Sequence, residues 1–396
     1  MISAVLGDSF SACKNEITVI LFILVFASCS HKKNDDYSIN GTFTKVYPVD
    51  PKESKIVYLS SIFDSISYQT FQLSDSTVIG SIDKIEIHNF RYYFWDKIGR
   101  KIWCYDLDGN FIFKLDKRGQ GPGEYLGISD FNIDKERQQL LILDQNSKKI
   151  LCYDLNGNHI KNFAIDVSAV QFAIVENGWL LYSRGGPDFL RDKIKYGYNL
   201  LMYDFDGNLL EQYCPYNDIT DRSFGLKNFS TFNQQIFFRY AINDTIYQFD
   251  YSGYLKNKIL FDFGKYRMPL KSINDFQEMS EYSRRSNYTR VYESFHTSKF
   301  MFISYSFEKR LHFLLFDKES ENIINGSFLE NDIDNISFAN PIPIFAWQNQ
   351  LIYVKEASDI VEQKKEGEKI HKRISQLQDL NEEDNPVIII AYLKTK

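Results

Sequence analysis

The sequence predicts an all-β fold, a six-bladed β-propeller of four-stranded antiparallel blades. Three observations carry that prediction: a strand-favouring composition, a repeat of fixed period, and the turn chemistry inside the repeat. Of 396 residues, 26 are Tyr and 33 are Phe, and hydrophobic residues make up 44%. Aromatic and β-branched side chains suit a pleated, half-buried surface better than a helix. Tyr92–Asn110 (YYFWDKIGRKIWCYDLDGN) aligns without a gap to Leu140–Asn158 (LLILDQNSKKILCYDLNGN), 48 residues further on, with 9 of 19 positions identical. A period in the forties marks an array of equal supersecondary units.

The N-terminus is expected to be an address. Ile17–Ser28 is a 12-residue, nearly pure apolar run preceded by Lys14. Such a run is too short to span a bilayer and about right for the core of a signal peptide. It continues into Phe26-Ala27-Ser28-Cys29, which resembles a bacterial lipobox, with Phe26 in place of the usual Leu. The expectation is a signal peptide over residues 1–28, lipid attachment at Cys29, a flexible tether over 29–41, and one propeller from 42 to 396. The lipid makes a membrane the first expected partner. It places the folded part in the cell envelope, at the outer membrane, on its periplasmic or surface face.

Within the ring, the turn of Tyr105–Asn110 recurs at Tyr153–Asn158, at Tyr203–Asn208 and, more weakly, at Phe249–Tyr254, with spacings of 48, 50 and 46. Asp-Gly and Asn-Gly supply the positive φ angles that tight hairpins need. A fifth copy, Phe313–Phe328, has a longer turn, and a sixth unit holds Ile344–Trp347, Gln350–Val354 and Val387–Lys394. An open ring would leave two exposed sheet edges. An N-terminal strand around Ile56–Leu59 is therefore expected to complete the last blade. Two segments break the period, Lys271–Arg290 and Ser358–Asp384. Both have a helical pattern, the second with a partial apolar stripe of Ile360, Ile370, Ile374, Leu377 and Leu380.

Gly119-Gln120-Gly121-Pro122-Gly123-Glu124-Tyr125, followed by Asp130-Phe131 and Ile142-Leu143-Asp144, resembles the signature of six-bladed β-propeller lipoproteins of Bacteroidota, related in shape to NHL-repeat proteins. Val78–Ile85, Asn243–Tyr247 and the Asp384–Val387 ending are similar to strands of the same family. The resemblance implies a secreted lipoprotein propeller and brings no catalytic residues. The Gly-rich run lacks the GK[ST] of a phosphate cradle and no helix pattern follows it. Arg118, Glu124 and Tyr125 are candidates to project into the ring's mouth and bind a ligand; the alternative is that they stitch one blade to the next.

Sequence chemistry points away from catalysis. Cysteine is sparse and no CxxC pair exists, so neither a zinc site nor a disulfide framework is indicated. Cys104 and Cys152 fill the same slot in successive repeats and read as buried small hydrophobes. No GxSxG or HExxH motif occurs, and Asp108 and Asn156 are turn residues. The Asn331–Asn335 cluster lacks the full spacing and terminal Glu of an EF-hand loop. Neither catalytic residue, metal nor cofactor is assigned. A net charge of −6 argues against nucleic acid as a partner. The expected function is a monomeric, non-catalytic binding or scaffold module for a glycan, peptide or envelope protein. The alternative is a propeller enzyme on the axis, a metal-dependent lactonase or lyase, or a glycan-cleaving protein. Converging acidic or His side chains around a metal-sized gap would favour the enzyme. An axis of amide and hydrophobic groups with an aromatic patch would favour the binder. Tyr282, Tyr288, Tyr292 and Phe295 are further aromatic candidates.

Overall fold

The computed structural model describes residues 37–39, 42–183, 197–216, 227–239, 243–285, 287–338, 340–365, 374 and 377–394. The expected signal peptide, Cys29 and most of the expected tether lie outside these residues. Tyr37–Ile39, inside the segment expected to be tether, forms a strand.

Six sheets form, one per expected blade. Blade 1 is Lys84–His88, Arg91–Asp96, Lys101–Asp106 and Phe111–Leu115. Blade 2 is Asp130–Asp134, Gln139–Asp144, Lys149–Asp154 and His159–Ala164. Blade 3 is Ala169–Val175, Gly178–Ser183, Tyr198–Asp204 and Leu209–Pro215. Blade 4 is Phe229–Phe232, Gln235–Phe238, Thr245–Phe249 and Leu255–Asp262. Blade 5 is Arg290–His296, Phe300–Phe307, Arg310–Asp317 and Ile323–Glu330. Blade 6 takes Phe345–Trp347, Gln350–Lys355 and Val387–Leu393 from the C-terminal end. The first strands of all six blades touch in cyclic order, so the ring is closed around an axis.

Closure differs from the expectation in which strand performs it. Phe63–Gln69 pairs antiparallel with Val387–Leu393 and completes blade 6. The strand around Ile56, which spans Lys55–Tyr58, instead adds in parallel to the outer edge of blade 5. One step earlier, Thr42–Pro48 adds in parallel to the outer edge of blade 4, with Tyr37–Ile39 beyond it. The N-terminal segment is thus a strap across three blades. Its apolar residues explain the order. Tyr47 packs on Phe261 and Phe316, while Val57 joins the core beside Leu329. A parallel pairing to a remote blade has no connecting turn, so no local sequence signature announces it.

The repeated turns form as the composition dictates. Asp106 accepts hydrogen bonds from the backbone N–H of Asp108 and Asn110 and from the Asn110 side chain. Asp154 and Asp204 repeat the arrangement with Asn158 and Asn208. Gly109, Gly157 and Gly207 sit at φ of 83°, 81° and 85°, where a side chain is disfavoured. Cys104 and Cys152 are buried and free, as their repeat position implies.

The two period-breaking segments contain the expected helices. One spans Phe276–Arg284 and the other Ala357–Lys365. Of the predicted stripe, Ile360 and Leu377 are buried in the blade 5–6 core, with Ile374 and Leu380 packed against it. Ile370 lies outside the described residues.

Candidate binding site on the propeller axis

The innermost strand of each blade alternates side chains between its neighbours and the axis. Seen from the axis, that alternation leaves Lys84, Glu86, Asp130, Asn132, Gln171 and Lys227 among the residues lining a narrow cavity of about 60 Å³. A belt of polar contacts tightens this end. The Lys84 ammonium donates to Asp130 Oδ1 at 2.8 Å and Asn132 Oδ1 at 3.0 Å, tying blade 1 to blade 2. Phe172 of blade 3 donates its N–H to Asp130 Oδ2 and accepts from the Asn132 amide. Asn228 donates its N–H to Gln171 Oε1, and Arg239 donates to the Tyr292 carbonyl, which carries the belt to blades 4 and 5. Lys227 donates to the Ile344 carbonyl beside blade 6 at 3.1 Å. These contacts pair much of the buried polar surface, while the Ser230 hydroxyl and both ring nitrogens of His296, which line the same cavity, have no hydrogen-bond partner among the described residues.

Electrostatics at this level are balanced rather than one-signed. Burial raises the Glu86 carboxyl above its ordinary range, against the pull of Lys135 and Lys84. Burial likewise raises Glu293, with Lys227 and Arg239 opposing, and lowers Lys227, with Glu293 opposing. His296 is buried and stacked on Phe237, and burial followed by the charge of Lys318 holds its pKa well below the ordinary value. Among the described residues, no group of three or more His, Cys, Asp or Glu side chains could hold a metal ion.

Beyond the belt the axis opens into a mouth of about 660 Å³. Its rim is built from the turns that join first to second strands, at Lys135–Glu136, Asn233–Gln234, Ser298 and Gln348–Asn349. Six side-chain amides line it, Asn132, Asn233, Gln234, Gln235, Gln348 and Asn349, together with Glu86, Asp134, Lys135 and Glu136. Of these, Asp134 pairs with Arg137 at 3.1 Å and Glu136 accepts from Gln234 at 3.4 Å. Beside them stand the apolar faces of Phe232, Tyr251, Phe345 and Trp347.

None of the three predicted site residues lines either axial cavity. Tyr125 is fully buried between blades 1 and 2, donating its hydroxyl to the carbonyls of Leu115 and Arg100. Glu124 accepts from the Gly121 N–H at 2.8 Å, and its carboxylate fills the space a Gly119 side chain would need. Arg118 pairs with Asp116 at 3.1 Å on the surface. The GQGPGEY run packs against Tyr153, His159 and Lys149, in the outer half of blade 2, away from the axis. The placement matches stitching rather than projection into a mouth. Phe295 lies on the axis, whereas Tyr288 and Tyr292 line a separate surface cavity.

The axial residues escaped sequence reasoning because they come from separate blades and meet only when the ring closes. Two local signals existed: a polar residue at alternate positions of an otherwise apolar first strand, as in Lys84-Ile85-Glu86-Ile87 and Asp130-Phe131-Asn132-Ile133, and the amide runs Asn233-Gln234-Gln235 and Gln348-Asn349.

A family model described as "Domain of unknown function (DUF4934)" matches residues 44–392. The chain belongs to the DUF4934 family. This DUF4934 protein is similar in structure to a Bacteroides fragilis NCTC 9343 protein assigned as exported. The TM-score is 0.71 at 16% identity, over 89% of this chain and 100% of that one. It is also similar to a DUF4221 family member from Bacteroides vulgatus ATCC 8482, with a TM-score of 0.48 at 11% identity over 84% and 97% of the two chains. A streptogramin B lyase reaches 0.40 at 10% identity, over 68% and 75%. The first likeness shows a shared fold; the other two carry no functional argument. No curated protein matches the sequence.

Proposed function

We propose that this DUF4934 protein is an exported, lipid-anchored binding module that takes a neutral saccharide chain in its axial mouth. The observation that carries the proposal is the lining of that mouth, six side-chain amides beside four aromatic faces. An amide offers donors and an acceptor together, which suits hydroxyl groups that do both. Apolar ring faces complement the C–H face of a sugar, and a concave site on rigid strands orients what it holds. Export rests on the apolar leader before Cys29 and on the exported assignment of the Bacteroides fragilis relative.

Trp347 provides the probe. Of the four tryptophans, Trp103 and Trp179 are fully buried, Trp95 is half-buried on blade 1 outside the mouth, and Trp347 alone lines the mouth, so the emission change that Trp347→Phe removes reports on the mouth. Titration with a panel of neutral oligosaccharides should change the emission, and calorimetric titration should show Trp347→Ala weakening binding at least tenfold, with a melting temperature lowered by the lost packing on the core of blades 1 and 6. A panel that produces no binding while peptides do would refute the saccharide assignment. For the anchor, Cys29→Ala should move the protein from the membrane fraction to the soluble one; a mutant that stays membrane-bound would refute it.

A glycan-cleaving reading is kept by one observation. Glu86 borders both cavities and is held protonated to higher pH by burial, as a general acid would be. Release of reducing ends that disappears in Glu86→Gln would favour this reading over simple binding.

A further inference from the structure

A second cavity, of about 230 Å³, lies where the helical insertion meets blade 5. Its walls come from three places in the sequence. The end of the helix Phe276–Arg284 gives Arg284 and Arg285; the start of the first strand gives Tyr288, Arg290 and Tyr292; the turn between second and third strands gives Lys309 and Arg310. Five cations therefore line one pocket, and no carboxylate lines it. In a chain of net charge −6, that is a local reversal of sign. The pocket sits at the opposite end of blade 5 from Ser298, which belongs to the axial mouth.

Cations gathered in one cavity repel each other, so the arrangement gains free energy from an anion placed among them. Four of the five are arginines, whose planar forks bind carboxylate, sulfate or phosphate oxygens in pairs. Arg285 and Arg290 lie over the rings of Tyr282 and Tyr292, 4.2 and 5.4 Å from their centroids. Those stacks orient guanidinium planes that would otherwise be mobile. The Tyr292 hydroxyl is anchored to Ser306 Oγ at 3.0 Å. Tyr288, whose ring packs on Tyr282 at 5.6 Å, and Tyr292 line the pocket beside the charges, each with one such neighbour on its ring.

We infer that this pocket binds an acidic saccharide, a sugar bearing a sulfate, phosphate or carboxylate group, at a site separate from the axial mouth. The ring faces take the sugar and the arginines take its oxyanion.

Dextran sulfate, with neutral dextran of the same length as control, tests the inference on the full chain by calorimetric titration. Dextran sulfate should bind and neutral dextran should not, with affinity falling as salt screens the charges. Charge reversal by Arg284→Glu with Arg285→Glu should weaken dextran sulfate at least tenfold. Lys114→Glu with Lys161→Glu, an equal charge change on the outer strands of blades 1 and 2, should leave it within about twofold, which separates a pocket from overall charge. Inorganic sulfate or phosphate that displaces the polymer at millimolar concentration would show the oxyanion to be the recognised group. Equal losses in the two double variants would overturn the inference. So would a single-stranded oligonucleotide binding as tightly as dextran sulfate. Because Trp347→Ala leaves this pocket intact, its effect on neutral saccharides tests the axial reading independently.

Discussion

The outer strands of blades 1, 2 and 3 end their sheets, whereas those of blades 4 and 5 are covered by the N-terminal strap. The first group carries the clean sequence repeat. Its edge strands place charges among their exposed apolar residues, with Lys114, Lys161 and Glu211 at the rim. Charged edges discourage pairing with another chain. The outer strands of blades 4 and 5 instead carry the apolar runs Ile259-Leu260-Phe261 and Phe328-Leu329 just before their last residues, and the strap seals Ile259, Phe261 and Leu329 into cores. The repeat therefore remains regular where each blade manages its own edge, and degrades where a remote segment does so.

The most severe way to break this contrast is to remove residues 37–69. Blade 6 would lose its fourth strand and blades 4 and 5 their covers. The expected outcome is loss of the cooperative thermal transition and aggregation on expression. A melt within a few degrees of wild type would show the strap to be dispensable.

Single charges sharpen the comparison. Val57 of the strap is 4% exposed, while Ile160 on the bare edge of blade 2 is 48% exposed. Val57→Asp should cost about 3–5 kcal/mol, since it buries an unpaired carboxylate. Ile160→Asp should stay within about 0.5 kcal/mol. Denaturant midpoints measure both, and equal shifts would contradict the distinction.

Two glycines at the same repeat position give a smaller test. Gly207 faces open space, so Gly207→Ala meets only the backbone penalty of positive φ, about 1 kcal/mol. At Gly109 an added Cβ would collide with the Thr70 carbonyl, in the connection from the strap to blade 1. Gly109→Ala should therefore cost about 1 kcal/mol more.

The smallest effects should come from the axial carboxyls of blades 1 and 5. Burial raises both Glu86 and Glu293 above the ordinary glutamate value of 4.5. A raised carboxyl contributes its full stability below that value and loses it as pH rises through the folded-state pKa. Gln stays neutral, so the melting temperature of Glu86→Gln relative to wild type should climb between pH 4 and pH 8. The gain should be smaller for Glu293→Gln, which leaves Lys227 and Arg239 without their opposing charge. A relative stability that falls with pH in Glu86→Gln would reverse the sign of this argument.

Much of the ring was legible because its turns are local. Asp106, Gly109 and Asn110 fix a hairpin within six residues, and Asp154–Asn158 repeats it. The strap was only partly legible, since Thr42–Pro48 and Lys55–Tyr58 alternate like any strand and their partners lie in remote blades. The axial site was hardly legible: Glu86, Asn132, Gln234 and Trp347 meet only after the ring closes. Conversely, GQGPGEY stood out in the sequence because a tight wedge between blades needs its glycines and its glutamate, not because it faces a ligand.

The strap also sets an order of events. Its strands are made first, yet Phe63–Gln69 has no partner until Val387–Leu393 has been synthesised. Thr42–Pro48 and Lys55–Tyr58 wait almost as long for blades 4 and 5. Pairings between remote segments form slowly because the chain must first be brought together. A chain that crossed a membrane N-terminus first would arrive with its clasp in hand and nothing to fasten. The ring would lock only on the far side, after the last blade had followed it through, which suits a protein whose finished shape is too rigid to be threaded.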